Sequence, residues 1–511
     1  MNKIIQSLFF FVSICALWVG VFFILPDFID NPYTGPKGLV ITIAYWGVVS
    51  LASFFVIYLM AIYKYVFIVL FPVFSLLGAI LGFYRYAFKA SLTPMIVDAT
   101  LNNDYGTTTD LISIELIIFV SISLIISFFF VYYRNKTVKV KKHLLHFLFA
   151  LTGITLTFTI NSRIKSNVLQ RFPYNIYYSL SEYTKLNKAI NAERIDFEPD
   201  FDCSKMKDKN DSLIIVFVLG ESARADHFSL NGYHRHTNQF LSQREHVYSL
   251  PNVYSEYTHT VRSLPHILTR ADSINEYPAF NEFSFIALFN KCGYRTEWIS
   301  NQDPANSYIF FMNECDTIIY AHPEKTVYNF NNWFDEDLIP FVEKSVSKSY
   351  RNNLMILHTI GSHWYYNSHF TKNFEGYTPV TKSRIIAQNS REEIINSYDN
   401  TILYTDYFLS RLISIFDKKN ALLIYVSDHG EILGEDGLWL HASDHLAAKN
   451  PAALIWMSEK YIKNYPEKRK ALIANKDKRW RTDFIFHSVI SGANLPSSAI
   501  KKDFDIFSIN E

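Results

Sequence analysis

Carboxylate and imidazole side chains cluster after three short apolar runs of this sequence. Glu221 follows the run 213–219, His358 and His363 follow the run 354–357, and Asp428 and His429 follow the run 421–426. Asp, Glu and His are common ligands of zinc. Taken alone, Glu221 could be a carboxylate at a helix N-terminus. Asp428-His429 could be a surface turn, and His358 a hydrogen-bonded core residue. Their coincidence at three apolar runs favours one metal site.

Two further histidines could complete this site. His441 lies twelve residues after His429, across the glycine-containing loop 431–437, and a loop of that length can fold back on itself. His445 is an alternative that spacing does not exclude. His363 could bind the same metal, a second metal or a substrate phosphate.

Group transfer also needs a nucleophile, and the segment 257–265 offers three hydroxyl groups. They belong to Thr258, Thr260 and Ser263. A hydroxyl is a weak nucleophile at neutral pH unless a metal or a base activates it. Residue types alone leave the choice among the three open, and each could be structural.

The apolar runs that precede these groups predict an α/β domain. Short continuous apolar runs are typical of buried parallel strands, and the segments 295–300 and 453–457 are weaker strand candidates. Helical stretches lie at 284–292 and 391–416. Ligand-binding groups collect at the carboxyl ends of strands in such sheets. We therefore expect the candidate ligands to meet at one edge of the sheet.

The first third of the chain predicts a membrane domain. Five apolar stretches approach the roughly 20 residues that cross a bilayer, namely 4–24, 39–62, 66–83, 111–133 and 144–160. Basic residues crowd the loop 134–142, which predicts that this side is cytoplasmic. Five crossings then place the later residues in the periplasm. We predict a membrane domain at 1–162, an interfacial connector rich in tyrosine at 163–200, and a catalytic domain at 201–511.

Composition excludes several classes of protein. The 511 residues include 49 Lys and Arg against 48 Asp and Glu, so the formal net charge is +1. This balance argues against a nucleic-acid partner. Cysteine numbers only 4, which excludes a disulfide scaffold. We expect a disulfide between Cys292 and Cys315, with Cys203 left over, although the pairing among the three stays open.

Three segments resemble the phosphoethanolamine transferases of Gram-negative bacteria, including the lipid A modifying and mobile colistin-resistance enzymes. The segment 220–233 resembles the first metal-ligand segment of that family, 398–406 its characteristic helix, and 427–441 its principal metal motif. The resemblance implies a five-span α-helical membrane domain followed by an α/β domain of alkaline phosphatase/sulfatase type. It also favours His441 over His445.

The resemblance implies a role for each site residue. Glu221, Asp428 and His429 would hold a zinc ion, and Thr260, five residues before Pro265, would be both the nucleophile and a zinc ligand. His363, His441 and Glu431 would bind the transferred phosphate or a second zinc, and Asn102 would contact the lipid donor. The chain departs from many relatives at Glu256 and His266, where those relatives have cysteines that brace the nucleophile loop, and Ala442 stands where they usually have glycine.

The implied activity is transfer of phosphoethanolamine from phosphatidylethanolamine to an envelope glycolipid. Lipid A is the favoured acceptor, and core heptose, Kdo and a non-lipid target are alternatives. We expect a zinc-dependent monomer in the bacterial inner membrane. A glycerol phosphate transferase of the same superfamily and a non-enzymatic sensor are rivals. A sulfatase-type hydrolase is disfavoured because the run 263–267 lacks the arginine of its motif.

Overall fold

The computed structural model describes most of the chain. The described residues are 7–29, 35–88, 91–94, 96–97, 114–159, 162–190, 194, 212–305, 307–324, 332–348, 352–384, 386–441, 444–495 and 497–509. Residues 1–185 with 323–331 form one compact unit, and residues 186–322 with 332–511 form a second. The predicted three-part division, with a separate connector at 163–200, stays a prediction.

Apolar helices dominate the first unit. The α-helices of the described residues up to 190 are α1 (Leu8–Val19), α2 (Gly35–Ile62), α3 (Lys64–Phe88), α4 (Ile114–Lys136), α5 (His143–Thr159), α6 (Ser162–Leu169) and α7 (Tyr174–Ile190). Helix α1 continues through π and 3₁₀ turns to Phe28. Among the described residues, four helical segments are long and apolar enough to cross a membrane: Leu8–Phe28, Gly35–Ile62, Lys64–Tyr86 and Ile114–Lys136. Helix α5 is apolar but has 17 residues. The N-terminal apolar helices are confirmed, and the count of five spans stays a prediction.

The second unit is an α/β domain. Its strands are β1 (Leu213–Gly220), β2 (Val247–Ser249), β3 (Val253–Tyr254), β4 (Arg295–Ser300), β5 (Thr317–Tyr320), β6 (Asn353–His358), β7 (Asn420–Ser427), β8 (Ile432–Leu433), β9 (Trp439–Leu440), β10 (Ala453–Met457) and β11 (Trp480–Arg481). Its helices are α8 (Thr260–Leu268), α9 (Tyr277–Asn281), α10 (Phe285–Lys291), α11 (Ile309–Met312), α12 (Ile339–Val346), α13 (Arg391–Phe416), α14 (Glu459–Asn464), α15 (Pro466–Asn475) and α16 (Phe484–Gly492).

Seven strands form the main sheet in the order β2-β10-β7-β1-β6-β4-β5. The strands β7, β1, β6, β4 and β5 are parallel, and β10 runs antiparallel to β7. Strand β10 is antiparallel because the chain returns from β7 through a loop without a crossover helix. All five predicted strand segments are present, and the predicted α/β domain is confirmed.

The register of the central strands positions the candidate ligands. Leu219 of β1 lies beside His358 of β6, and Gly220 lies beside Ser427 of β7. The next residues, Glu221 and Asp428, therefore leave the sheet side by side. Alternate residues of β1 pack into two separate hydrophobic cores, one on each face of the sheet. Helix α16 covers one face and α13 covers the other, so the sheet edge that bears the ligands is rigidly held.

The predicted disulfide between Cys292 and Cys315 is wrong. Cys292 is disulfide-bonded, whereas Cys315 is a free thiol. Both side chains pack against the same hydrophobic core. Loop length in the sequence does not determine pairing, because a disulfide requires Cβ atoms about 3.8 Å apart.

Candidate active site and metal centre

Three buried side chains converge beyond the carboxyl ends of β1 and β7. One ligand atom each from Glu221, Asp428 and His429 lie within 4.8 Å of one another. His429 Nε2 is 3.4 Å from Glu221 Oε1 and 3.3 Å from Asp428 Oδ2. The structure thus brings together the three residues that the sequence predicted as metal ligands.

A hydrogen bond on its other ring nitrogen orients the His429 imidazole toward the two carboxylates. The Nδ1–H of His429 donates to the Gly430 carbonyl at 2.7 Å, which leaves the Nε2 lone pair facing the cluster. Within the described part of the chain, His429 Nε2 and Asp428 Oδ2 are buried and form no hydrogen bond. Buried polar atoms are normally satisfied. An imidazole lone pair and two carboxylates fit zinc as a set of donors.

The charges of the cluster also favour a cation. Burial and the negative charge of Glu221 raise the pKa of Asp428 well above its usual range. Burial acts in the same direction on Glu221, but the neighbouring imidazoles outweigh it and lower the pKa of Glu221 to about 2. Burial lowers the pKa of His429, which favours the neutral ring that binds metals. Two carboxylates this close resist joint ionisation unless a cation lies between them.

Of the three candidate hydroxyl groups, the structure brings that of Thr260 to the cluster. Thr260 Oγ1 donates to Glu221 Oε2 at 3.1 Å. Thr260 is also the first residue of helix α8, where free N–H groups and the helix dipole favour negative charge on an oxygen. Ser263 is buried in the same helix, and its hydroxyl has no hydrogen-bond partner in the described structure.

Two imidazoles and a carboxylate border the cluster. The ring of His441 lies 4.6 Å from that of His429 and 6.3 Å from that of His363. His441 Nδ1 is 3.3 Å from Glu431 Oε2. Burial lowers the pKa of His441, but the hydrogen bond with Glu431 and its charge outweigh burial and raise this pKa to about 9. A protonated His441 suits a phosphate oxygen.

The remaining predicted histidines differ in role. His363 Nδ1 bonds to the Trp364 carbonyl at 2.6 Å, which leaves Nε2 available. His445 caps a 3₁₀ turn, since its Nδ1 accepts from the Ala447 N–H. His358 is a buried core residue whose ring contacts Trp298 and Tyr308. Asn102 lies outside the described residues.

Gln302 and Ser222 are the site residues that sequence reasoning missed. Gln302 follows β4, and its Nε2 donates to Glu221 Oε2 at 3.1 Å and to the Thr359 carbonyl at 2.7 Å. Ser222 donates through Oγ to Glu221 Oε1 at 2.8 Å and through its N–H to Asp428 Oδ1 at 3.2 Å. Close reading of the end of β4, a weak strand candidate, could have found Gln302.

Helix α13 and a glycine hold the ligand loop from outside. The Tyr398 hydroxyl donates to the Ser222 carbonyl at 2.7 Å and accepts from the Arg224 N–H at 2.8 Å. Gly361 has a positive φ of 51°, and a Cβ there would lie 2.7 Å from the Glu221 carbonyl oxygen. The segment 398–406 is thus part of the support for the ligands.

A comparison with protein families decides the classification. The sequence profile of the sulfatase family matches residues 214–494, which contain every site residue named above except Asn102. The chain belongs to the sulfatase family.

Curated relatives of this sulfatase-family chain are phosphoethanolamine transferases. The chain is 31% identical over 278 residues to phosphoethanolamine transferase EptA of Escherichia coli K12, covering 51% of this chain and 49% of the relative. It is 27% identical over 442 residues to EptA of Helicobacter pylori, covering 82% and 80%. The chain spans about half the length of the first of these relatives. The resemblance to phosphoethanolamine transferases is confirmed.

Solved structures agree with the fold. The integral membrane lipooligosaccharide phosphoethanolamine transferase A (EptA) of Neisseria meningitidis superposes with a TM-score of 0.55 at 21% identity, covering 97% of each chain. The C-terminal periplasmic domain of EptC from Campylobacter jejuni superposes with a TM-score of 0.52 at 25% identity, covering 58% of this chain and 94% of that domain.

Proposed function

We propose that this protein transfers phosphoethanolamine from phosphatidylethanolamine to an envelope glycolipid, with lipid A as the favoured acceptor. The observation that carries the proposal is the hydroxyl of Thr260, 3.1 Å from Glu221 in a buried cluster of metal-binding groups. The relatives named for this transfer support the choice of transferred group.

Thr260 is the proposed nucleophile. Its Oγ forms a bond to the phosphorus of the donor while the bond from phosphorus to the glycerol oxygen breaks. Thr260 gives up one proton, and the departing diacylglycerol takes up one. An oxygen of the acceptor then forms a bond to the phosphorus while the bond from phosphorus to Thr260 Oγ breaks, and Thr260 takes up a proton. His363 and the protonated His441 are positioned to bind phosphate oxygens in both steps.

Glu221, Asp428 and His429 are the proposed zinc ligands. A bound zinc ion would supply Lewis acidity that lowers the pKa of the Thr260 hydroxyl. Gln302 and Ser222 orient the carboxylates for this role. Glu431 orients His441, or contributes to a second metal site.

The proposed location is the bacterial inner membrane, with the catalytic domain in the periplasm and the protein acting as a monomer. Donor and acceptor are both lipids, so a catalytic domain joined to membrane-spanning helices stays within reach of both. The four apolar helical segments support this placement.

Intact-protein mass spectrometry of the full chain with phosphatidylethanolamine tests the proposal. We expect a covalent phosphoethanolamine adduct of about 123 Da that maps to Thr260. Thr260→Ala should abolish it, whereas Thr258→Ala, a matched change two residues away, should retain it. An adduct that persists in Thr260→Ala would refute the assigned nucleophile. An adduct formed with phosphatidylglycerol instead would favour glycerol phosphate transfer.

A further inference from the structure

A cavity lies apart from the metal cluster, around the short strand β11. It has a volume of about 290 Å³ and is lined in part by Lys478, Arg479, Trp480, Lys502 and Phe504. Strand β11 is held in place by parallel pairing with β3, in which Trp480 aligns with Val253. The Trp480 indole N–H donates to the Asn475 carbonyl at 2.9 Å, which fixes one aromatic wall.

Basic side chains outnumber carboxylates at this cavity, which is lined by Lys478, Arg479, Arg481 and Lys502 and by Asp483, Asp503 and Asp505. Asp483 pairs with Arg481 at 3.0 Å, and buried Asp505 accepts a hydrogen bond from the Phe507 N–H. Lys478, Arg479 and Lys502 are exposed, and they form no ion pair among the described residues. Three unpaired cations around one cavity favour an anionic ligand.

A strongly exposed isoleucine lies on a turn that contacts Arg481, a residue of the cavity wall. Ile274 is 94% exposed, the highest value among the exposed large apolar residues of the described structure. Its turn is well held, because Asp272 Oδ1 accepts from the N–H groups of Ile274 and Asn275 at 2.9 Å. Asp272 also pairs with Lys501 at 3.0 Å, and Ser273 bonds to Arg481 of the cavity wall.

The cavity is joined to the catalytic cluster through strand β3. Arg479 also lines a second cavity of about 220 Å³ with Tyr254 and Asn450. The residue after Tyr254 is Ser255, whose hydroxyl lies 2.7 Å from the Tyr257 carbonyl and 3.1 Å from the Asp428 carbonyl. An anion bound at Arg479 is therefore connected through a few residues to a proposed metal ligand.

We propose that this cavity binds the phosphate group of a membrane lipid, with Lys478, Arg479 and Lys502 on the phosphate and Ile274 against the apolar part of the lipid. A phosphate group meets the positive charges. An isoleucine that is 94% exposed on a turn bonded to the cavity wall is favourable where apolar material is available. Four helical segments of the same chain are long and apolar enough to cross a membrane, so a lipid bilayer is an available source of such a ligand. The site is separate from Thr260, and its occupancy does not depend on which group Thr260 transfers.

Photo-crosslinking of the full chain in phosphatidylcholine nanodiscs tests this site. The probe is phosphatidic acid that carries a diazirine near its head group, and labelled peptides are identified by mass spectrometry. We expect labelling of the segments 270–281 and 497–509. Reversing two charges with Lys478→Glu and Lys502→Glu should reduce labelling about tenfold. The matched control, Lys460→Glu with Lys463→Glu, changes two exposed lysines of helix α14 and should leave labelling unchanged.

Two comparisons separate the possible sources of the phosphate group. Millimolar inorganic phosphate should not displace the lipid label. Ile274→Asp should reduce the label several-fold, whereas Ile473→Asp, a change at an isoleucine that is 46% exposed, should not. Displacement by inorganic phosphate would overturn the lipid assignment. Absence of label in the wild type, or equal label in the charge-reversed variant, would overturn the site.

Zinc content and melting temperature establish that each variant is folded. The Thr260 adduct, measured in parallel, separates this inference from the proposed function. If the adduct forms but the lipid label does not, only the lipid site is wrong. If the label forms but the adduct does not, only the assigned transfer reaction is wrong.

Discussion

Gln302→Leu is expected to weaken zinc binding without removing any ligand. The Gln302 amide donates to Glu221 Oε2 at 3.1 Å and to the Thr359 carbonyl at 2.7 Å, so it ties the ligand to the end of β6. Leucine has a similar size but no donor. Glu221 then loses one of the bonds that orient its carboxylate, and the Thr359 carbonyl loses a donor.

The expected loss of zinc affinity follows from the charge on Glu221. A hydrogen bond to an ionised group contributes about 1.5–3 kcal/mol, which corresponds to roughly a 10- to 150-fold change in affinity. Loss of a partner around a metal ligand typically costs about 10- to 100-fold in metal affinity. Both estimates agree on at least tenfold weaker zinc binding. The lost bond to Thr359 should also lower the unfolding free energy by about 1 kcal/mol.

Competition with a zinc chelator on the purified full chain measures this effect. Gln243→Leu is the matched control, because the Gln243 amide also donates to a backbone carbonyl, that of Gln239, but lies at the surface. The control should retain wild-type affinity. If Gln302→Leu binds zinc within threefold of the wild type, the bond to Glu221 does not position the ligand and the reasoning is refuted.

Three further outcomes are expected, each measured as the melting temperature of the full chain. Chelation of zinc should lower it, because the Glu221 and Asp428 carboxylates then repel each other, and His429→Gln should remove most of this difference; no change on chelation would argue against a bound metal. Burial raises the pKa of Asp406 to about 7, above its unfolded value of 3.8, so its contribution to stability is full below pH 3.8 and is lost as pH rises through 7. The wild type should therefore lose more stability between pH 5 and 8 than Asp406→Asn, and parallel curves would contradict this. Gly361→Ala should destabilise by about 2–3 kcal/mol, because its φ is positive and its Cβ would meet a backbone oxygen; Gly376→Ala is the control.

Much of the site follows from the order of residues along the chain. Glu221 and Asp428 each come directly after a buried apolar strand, and parallel strands end at the same edge of a sheet. Their proximity was therefore predictable from the ends of two apolar runs. The α/β fold was predictable for the same reason, since continuous runs rich in Ile, Val and Leu are typical of strands buried on both faces.

Residue types and spacing alone did not select among equivalent side chains, and the tertiary structure shows the contacts that separate them. Residue types left three hydroxyl groups as candidate nucleophiles, and the family resemblance pointed to Thr260. The structure adds the contact of Thr260 with Glu221, which buried Ser263 lacks. His441 and His445 differ by four positions, yet one faces His429 and the other caps a turn. Such differences depend on backbone direction, which local residue types do not determine.

Long-range contacts account for the parts that sequence reasoning did not reach. The position of Gln302 after β4 indicates the right edge of the sheet, but its bond to Glu221, 81 positions away, is not marked by any local pattern. The cysteine pairing failed for a related reason, because Cys315 is free although its distance from Cys292 along the chain suits a disulfide. The sequence by itself determined which metal-binding and nucleophilic residues are present and which strands bring them to one edge of the sheet. The tertiary structure decided which atoms meet, because meeting depends on distances of a few ångströms that packing of the whole domain sets.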